Sequence, residues 1–393
     1  MVRLLPAVLV LGAAIAARGA ELRVFGSAGG EGRLTPASSA SPLNPGNVLG
    51  LPYRSASSDV TTFIEAVPAT NRWKAHLKLR ASGDGADGDV RGRFRVGEAF
   101  LQTHLAGWLD VAVGRRIEKW GTGYAWNPTG FVNPRKDPAD AGDRLKARTG
   151  ADLVRADVFV RDVNVSLYLL PRFGWDTDEV SGRGRPDFAA RAYRLVAGTD
   201  VSVMYRRDGQ QARSDSAGLS VARTFGDAVE LHAEAATLER EGGRRYTEAL
   251  VGGQYTFANG LNVIAELFHG GSGLTAGQWS AFRDDVAVAR SRWATGDVRP
   301  LLAANARYAP LQMARDYSFV RVSRAWPRRG GVELLAITNL RDGSTIARGT
   351  VSRELRANLQ VYLLQTELLG NAGSELGYAQ IERQTNFGFR LHY

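Results

Sequence analysis

The sequence predicts an all-β fold, a transmembrane antiparallel up-and-down β-barrel of about 18 strands, with roughly 16 to 20 compatible with the pattern. Short segments alternate apolar and polar residues with period two, as strands with two different faces do. The breaks between them are alternately short and long, as turns and loops at opposite ends of a barrel would be. Beyond the N-terminus, no run of about 18 apolar residues occurs, which excludes a membrane protein built from helices.

The first residues have the composition of a secretory signal peptide. A basic residue, Arg3, precedes an apolar run from Leu4 to Ala17, and small residues follow. The apolar run is too short for a membrane anchor, so we expect cleavage between Ala16 and Ala20. The predicted organisation is a signal peptide over residues 1–20 and a single barrel domain over residues 21–393.

The chain has no cysteine and a formal net charge of +10. An exported chain without disulfides needs another source of stability, which the complete hydrogen-bond ladder of a closed barrel supplies. The basic residues are spread evenly along the predicted strands, so nucleic acid is not an expected partner.

The breaks between predicted strands belong to two classes. Gly, Asn, Asp and Pro supply turn chemistry in most of the short ones. The short breaks are 68–70, 106–107, 161–162, 198–199, 226–227, 258–260, 327–330 and 356–357. The long breaks are roughly 31–57, 81–93, 118–151, 171–190, 207–216, 239–246, 270–314, 340–344 and 370–383. No stretch is identified as having a sustained helical period.

The polar faces of the predicted strands would line a water-filled lumen. In strand 73–80, Trp73, Ala75, Leu77 and Leu79 face one way and the basic residues face the other. The candidate pore-lining residues chosen by this counting are Lys74, His76, Lys78, Arg80, Asp110, Arg116, Glu230, His232, Glu234, Glu266 and Arg390. A soluble β-sandwich also alternates, but its strands are shorter and its edges need protection.

The last ten residues form the most regular strand of the sequence. Thr385, Phe387, Phe389, Leu391 and Tyr393 fall on one face, and polar residues fall on the other. The segment resembles the C-terminal signature of bacterial outer-membrane β-barrels, whose positions are filled here by Asn386, Gly388, Leu391 and Tyr393. The resemblance implies that the barrel-assembly machinery recognises this strand. The strand then pairs with the first strand near Leu22–Gly29 and closes the barrel.

The third long loop is the most distinctive segment of the sequence. The stretch from Gly114 to Pro138 contains Gly-Arg, Trp-Gly and Asn-Pro pairs, and it resembles loops of porin-like barrels of Gram-negative bacteria, including the alginate-export type. That resemblance implies a loop that folds into the pore. The alternative is that Trp120, Tyr124 and Trp126 anchor at the membrane interface. The candidate constriction residues are Trp120, Tyr124, Trp126, Arg135, Lys136 and Asp137.

No recognisable catalytic or metal site is present in the sequence. The five histidines lie on different predicted strands without metal-site spacing, and no Gly-x-Ser-x-Gly motif occurs. His232, between Glu230 and Glu234 on a polar face, is the best candidate for catalysis, although a salt-bridged lumen residue is the simpler interpretation. We therefore expect no enzyme activity, no catalytic residue, no metal and no cofactor.

The residues and the resemblance together indicate a passive channel in the cell outer membrane for small solutes. The alternatives are an export or assembly barrel for a polysaccharide or lipid, working with periplasmic partners, and an outer-membrane enzyme. The expected partners are membrane lipid, the barrel-assembly machinery and the solutes, and the sequence leaves homo-oligomers open.

The predicted wall charges suggest a weak preference for anions at low salt. Strand 73–80 carries four basic residues on its polar face and no acid. The acids Glu230, Glu234 and Glu266 lie on distant strands, so we expect separate positive and negative zones. Such zones act over about one Debye length, roughly 10 Å at 0.1 M salt.

Overall fold

The computed structural model describes residues 20–68, 72–87, 89–132, 135–143, 148–171, 185–209, 215–239 and 244–393. Residues 1–19, where the signal peptide is predicted, lie outside the described residues. The first nine strands are β1 (Ala20–Leu34), β2 (Arg54–Pro68), β3 (Trp73–Ala86), β4 (Asp89–Ala106), β5 (Leu109–Arg116), β6 (Ala151–Val160), β7 (Val163–Leu170), β8 (Asp187–Val196) and β9 (Thr199–Arg207).

The second half of the chain continues the same pattern. Its strands are β10 (Asp215–Phe225), β11 (Val229–Glu239), β12 (Arg245–Thr256), β13 (Leu261–Gly270), β14 (Asp316–Trp326), β15 (Gly330–Asn339), β16 (Thr345–Arg356), β17 (Leu359–Leu369) and β18 (Arg383–His392). Two helices, α1 (Ala276–Ala294) and α2 (Arg299–Arg307), lie between β13 and β14. Short 3₁₀ turns occupy Pro45–Asn47, Pro138–Asp140 and Leu376–Tyr378. None of the helices in the described residues is long and apolar enough to cross a membrane.

The 18 strands form one closed antiparallel sheet in which each strand pairs with its neighbours in sequence, and β1 pairs with β18. The predicted barrel and strand number are therefore confirmed. The closing register runs from Ser27 opposite His392 to Leu34 opposite Thr385, later in β1 than the predicted 22–29. Inward-facing contacts of β18 match this register, because Asn386 donates to Glu31 over 2.8 Å.

The two faces of the barrel differ as the alternation predicts. Large apolar side chains on the outer face are exposed, and they include Leu22, Val113, Leu231, Val251, Leu267 and Phe387. Exposed aromatic side chains also lie at the short turns, namely Trp108, Phe159, Phe225, Phe257 and Trp326. Such a ring of aromatic residues at one end of an apolar band is typical of a barrel at a membrane interface.

The prediction of a long loop over residues 81–93 is wrong. β3 and β4 remain paired up to Ala86 opposite Asp89, and only residues 87 and 88 connect them. The segment is rich in Gly and Asp, which favour loops. Residues 89–95 of β4 are exposed on both faces, so this part of the hairpin needs no apolar side and carries no composition signal of a strand.

The absence of a helical period is also contradicted. In α1 the buried side chains Trp279, Phe282, Val286 and Ala289 follow the three-and-four spacing of a helix that buries one stripe. Thr275 caps the helix in a capping box with Gln278. Because the rest of α1 is exposed and rich in Ala and Arg, the buried stripe is narrow and easily overlooked.

The helices belong to a packed structure at the long-loop end of the barrel, here called the cover. It consists of residues 271–315 together with the loops 35–53 and 370–382. These loops share one apolar cluster, formed by Leu43, Trp279, Phe282, Val286, Ala304, Tyr308, Met313 and Tyr378. Cross-loop hydrogen bonds support it, including Asn305 Nδ2 to the Leu43 carbonyl at 2.7 Å.

A buried carboxylate, Glu375, ties the cover to the barrel. It accepts hydrogen bonds from the backbone of Leu311 at 2.7 Å and from the Tyr317 hydroxyl and Asn339 amide at 2.9 and 2.8 Å. Burial raises the pKa of Glu375 above its usual value. The carboxylate thus joins residues 271–315 and 370–382 of the cover to the start of β14 and the end of β15.

Candidate functional site: the third loop and the lumen wall

The third loop connects β5 to β6, and its described residues, 117–132, 135–143 and 148–150, lie inside the barrel. Trp120 and Trp126 are buried, and Tyr124 packs against the same inner wall. These aromatic side chains therefore do not anchor at the membrane interface, and the aromatic residues that face outward are those at the short turns. The loop crosses from the β6–β11 side of the barrel to the β12–β16 side.

Glu234 on β11 fixes the first half of the loop. One carboxylate oxygen accepts hydrogen bonds from the backbone N–H groups of Thr122 and Gly123 at 2.5 and 2.6 Å. The other accepts from the backbone N–H and the hydroxyl of Thr129 at 3.1 and 2.6 Å. Gly121 has a φ of +79°, and a Cβ there would lie 2.6 Å from the Glu234 carboxylate, so the turn requires glycine.

Glu266 on β13 provides a second anchor in the same way. Its carboxylate accepts hydrogen bonds from the backbone of Tyr124 and, at 2.8 Å, from the backbone of Ala125. His232 lies behind it, with Nε2 2.9 Å from the same carboxylate. Glu234 and Glu266, predicted as pore-lining residues, are thus buried anchors of the third loop, because backbone N–H groups replace water as their partners.

An apolar surface of the inner wall holds the aromatic part of the loop. Trp126 stacks on Phe268 with ring centroids 4.9 Å apart and planes 4° from parallel. Tyr124 contacts Phe319 at a centroid distance of 5.6 Å. The other buried wall residues of this cluster are Leu250, Ile264, Tyr317, Leu335, Ile337 and Ile346. The loop is held by apolar packing as well as by the two carboxylates.

The start of the loop packs on the opposite part of the wall. Trp120 donates its indole N–H to the Tyr168 hydroxyl at 3.2 Å and makes edge contacts with Phe131 and Tyr168. Beside it, Arg155 pairs with Glu118 at 2.9 Å. These contacts bring the loop onto β6 and β7 immediately after β5 ends.

The three charged constriction candidates of the loop have different surroundings. Arg135 pairs with Glu248 of β12 at 2.7 Å, whereas Asp137 is exposed and caps the short 3₁₀ turn that follows it. Lys136 donates to the carbonyls of Gly123 and Tyr124, and burial lowers the pKa of its ammonium group. Within the described residues Lys136 has no carboxylate at ion-pair distance.

Acids from neighbouring strands interrupt the basic face predicted for strand 73–80. Lys74 pairs with Glu65 at 2.8 Å, and His76 lies between Glu65 at 3.0 Å and Glu98 at 3.5 Å. Lys78 is buried and donates to the carbonyl of Arg148 at 2.7 Å. The acids come from β2 and β4, and counting charges along a single strand misses them because wall neighbours are set by cross-strand register.

A basic cluster does lie on the inner wall of β3 and β4, nearer to the connection between these two strands. Arg80 is the register partner of Arg95, and both line a small pocket with Arg33, Arg93, Asp59 and Asp84. Among the described residues no carboxylate is at ion-pair distance from Arg80 or Arg95, and the Arg80 Nε is buried without a hydrogen-bond partner. The two guanidinium groups in register make the electrostatic potential of this part of the wall more positive.

The remaining pore-lining candidates face inward with partners of their own. Asp110 bonds to His104 Nδ1 at 2.6 Å, and Arg116 donates to Gln102 at 3.0 Å and lies over the Phe100 ring. Arg390 pairs with Asp59 at 3.1 Å. Glu230 is partly exposed and 3.6 Å from His232.

The four residues of the predicted assembly signal occupy both faces of β18. Asn386 is buried on the inner face, whereas Leu391 and Tyr393 are exposed on the outer face. A Cβ at Gly388 would lie 2.5 Å from the Tyr362 hydroxyl, which donates to Glu31 at 2.9 Å. Glycine is needed at this position for that contact across the closing seam, and the role of the signal in assembly stays a prediction.

Two cavities, each of about 450 Å³, adjoin the third loop. One lies between the loop and the cover and is lined by Trp126, Lys136 and Phe282 among others. The other lies between Tyr124 and Ala139–Gly142 of the loop and the inner faces of β14–β18, where Arg321, Arg348 and Arg390 line it. The loop thus separates two spaces within the barrel.

Several residues of the site give little signal in the sequence. Glu65 and Glu98 are the partners of the basic strand, and Arg95 completes the basic cluster, yet none of the three was singled out by pattern. Ile264 sits on the nominally polar face of β13 beside Glu266 and is buried under the loop. An apolar residue such as Ile264 on an otherwise polar strand face is the sign in the sequence that a loop packs against that face.

No protein-family model and no curated protein matches this sequence. Among solved structures, a triple mutant of the porin from Rhodopseudomonas blastica is 14% identical with a TM-score of 0.49, with 95% of this chain and 100% of that chain covered. A structure described as "Asymmetric conductivity of engineered proteins" is also 14% identical, with the same coverage and a TM-score of 0.50. At such identities the likeness concerns the fold alone: the chain is a porin-like β-barrel of 18 antiparallel strands.

Proposed function

We propose that this protein is an outer-membrane channel for the passive passage of small solutes. The observation that carries the proposal is the third loop, which lies within a closed barrel and is held by Glu234 and Glu266 between two internal cavities. A loop fixed in this position narrows the lumen without closing it, and space for water remains on both sides of the loop. The outer belt of apolar and aromatic residues supports a location in the outer membrane of a Gram-negative bacterium.

Conductance of the purified protein in planar bilayers tests the proposal. Discrete ion steps are expected, and a barrel that inserts but passes no current would contradict a channel. The state of the third loop during conduction is tested with cysteines at Thr129 and Gly218, since a Cβ at Gly218 would lie 2.8 Å from the Thr129 side chain.

We expect the Thr129→Cys/Gly218→Cys pair to form a disulfide and the oxidised channel to conduct like the reduced one. The matched control places the second cysteine at Ser27, nine strands away in the 18-stranded sheet, where no cross-link is expected. Loss of current on oxidation would mean that the loop must leave the wall before solutes pass, which contradicts a fixed constriction.

The channel is proposed to prefer anions weakly. Arg80 and Arg95 carry charges without a carboxylate at ion-pair distance in the described residues, and arginine stays charged at physiological pH. Because Lys74 is neutralised by Glu65, the selectivity should depend on the arginine pair and not on the lysine. Screening confines the effect to low salt.

Reversal potentials under a KCl gradient measure this preference. Arg80→Gln/Arg95→Gln should move the potential towards cation selectivity, whereas Lys74→Gln, the control on the same strand, should move it less. Cation selectivity in the unmodified protein, or an equal effect of the two changes, would contradict the assignment of selectivity to the arginine pair.

The cover favours a second candidate function, an export or assembly barrel working with periplasmic partners. Its packed helices lie over part of the long-loop mouth and are tied to the wall through Glu375. A barrel whose mouth is covered would conduct little until a partner displaced the cover. Closed bilayer recordings that open only after proteolysis of residues 271–315 would favour this candidate over the open channel.

A further inference from the structure

The cavity between the third loop and the cover is built from three separate parts of the chain. The third loop supplies Trp126 and Lys136, the barrel wall supplies Phe268, and the cover supplies Phe282 and Met313. Its volume of about 450 Å³ lies within the range of small-molecule sites. These parts are held in place by the anchors already described, so the cavity is preformed.

Much of the lining is flat and apolar. Trp126 and Phe268 form a stacked pair, and Phe282, Leu311 and Met313 are nearly fully buried around the same space. An apolar ring of a ligand bound here would contact apolar side chains on several sides. Its removal from water would favour binding. A strongly hydrated sugar would find few unpaired polar groups to replace its water.

The charges of the lining leave one cation unbalanced. Arg135 pairs with Glu248 at 2.7 Å, and Arg307 pairs with Asp285 at 3.0 Å. Lys136 is bonded to carbonyl oxygens, with no carboxylate at ion-pair distance among the described residues. A single negative group on a ligand would therefore complete the electrostatics of the cavity.

We propose that this cavity binds a compact amphipathic organic anion, a molecule with one apolar ring body and a single carboxylate or sulfonate group. The site rests on the proposed channel function in that it places the bound molecule next to the third loop, on the cover side of the constriction. Solutes of this class would be held there before they pass, whereas small inorganic ions would not.

Isothermal titration of the purified full chain in detergent tests the ligand class with three probes. 1-Naphthoate carries both the ring body and the charge, 1-naphthylmethanol carries the body alone, and acetate carries the charge alone. We expect naphthoate to bind with one site per chain and the other two to bind at least about tenfold more weakly. Equal binding of naphthoate and naphthylmethanol, or no binding of naphthoate, would overturn the proposal.

Two kinds of variant locate the binding. Ala281 lines the cavity from α1, so Ala281→Trp should fill it and weaken naphthoate binding about tenfold or more, whereas Ala287→Trp on the exposed side of α1 should not. Lys136→Met should weaken the binding of naphthoate but not that of naphthylmethanol. Lys136→Arg, which keeps the positive charge, should restore the tighter binding of naphthoate. If both tryptophan variants bind naphthoate like the unmodified chain, the site is elsewhere and the proposal fails.

Conductance separates this inference from the channel proposal. If the protein conducts and naphthoate does not bind, the site is wrong and the channel stands. If naphthoate binds with the expected dependence on Ala281 and Lys136 but no current flows, the site stands and the channel is wrong. When both hold, naphthoate should reduce the single-channel current in the unmodified protein and not in Ala281→Trp.

Discussion

Replacing Glu234 with Gln should release the third loop from the inner wall. Glu234 is buried and accepts four hydrogen bonds from the loop, two on each carboxylate oxygen. The amide of Gln keeps one acceptor oxygen and turns an NH₂ group towards the other pair of donors. The Thr129 hydroxyl can rotate to accept, but the Thr129 backbone N–H cannot.

The magnitude follows from these contacts. Glu234→Gln leaves one buried N–H without a partner and removes the charge from the bonds that remain. Each such loss costs about 1–3 kcal/mol, so loop docking should weaken by roughly 2–4 kcal/mol. At about 1.4 kcal/mol per tenfold, the population with an undocked loop rises by a factor of about 30 to 700.

Single-channel recording measures this population through current fluctuations. An undocked loop moves in the lumen, so Glu234→Gln channels should show added noise and a broader distribution of conductance. Glu230→Gln is the matched control, because Glu230 lies on the same inner face of β11 and contacts His232 but not the loop. If the two variants give the same quiet current, Glu234 does not hold the loop and the argument from these hydrogen bonds is refuted.

Two further predictions concern the cover and the closing seam. Burial raises the pKa of Glu375 above 4.5, so its contribution to stability is fully present below that pH and is lost as pH rises through the raised value. Hydrogen exchange at the Leu311 amide, corrected for its intrinsic rate, should therefore speed up at higher pH, whereas in Glu375→Gln it should not depend on pH in this way. Deleting residues 389–393 removes five pairs of the seam and should abolish outer-membrane assembly while leaving export intact. Heat-modifiable barrel bands from the truncated protein would contradict this.

The parts of the fold that repeat along the chain could be predicted from the sequence. Lipid on one side and lumen on the other impose a period of two, so strand number, the outward face of β18 and the inward faces of Glu234 and Glu266 all follow from counting. The signal fails in residues 89–95 of β4, which are exposed on both faces, and the sequence analysis also missed α1, which buries only one narrow stripe against other loops.

What the sequence by itself determined is the barrel: an alternating chain, closed by its last strand, with an aromatic loop after β5 that had two alternative locations. Only the tertiary structure decided which charges meet. Lys74 and Glu65 are neighbours because β2 and β3 are in register, and Glu234 binds Thr122 because a loop 112 residues away in sequence folds across the lumen. The physical reason is that alternation reports a residue's side of the sheet, whereas its partner depends on cross-strand register and loop docking, which no local pattern records.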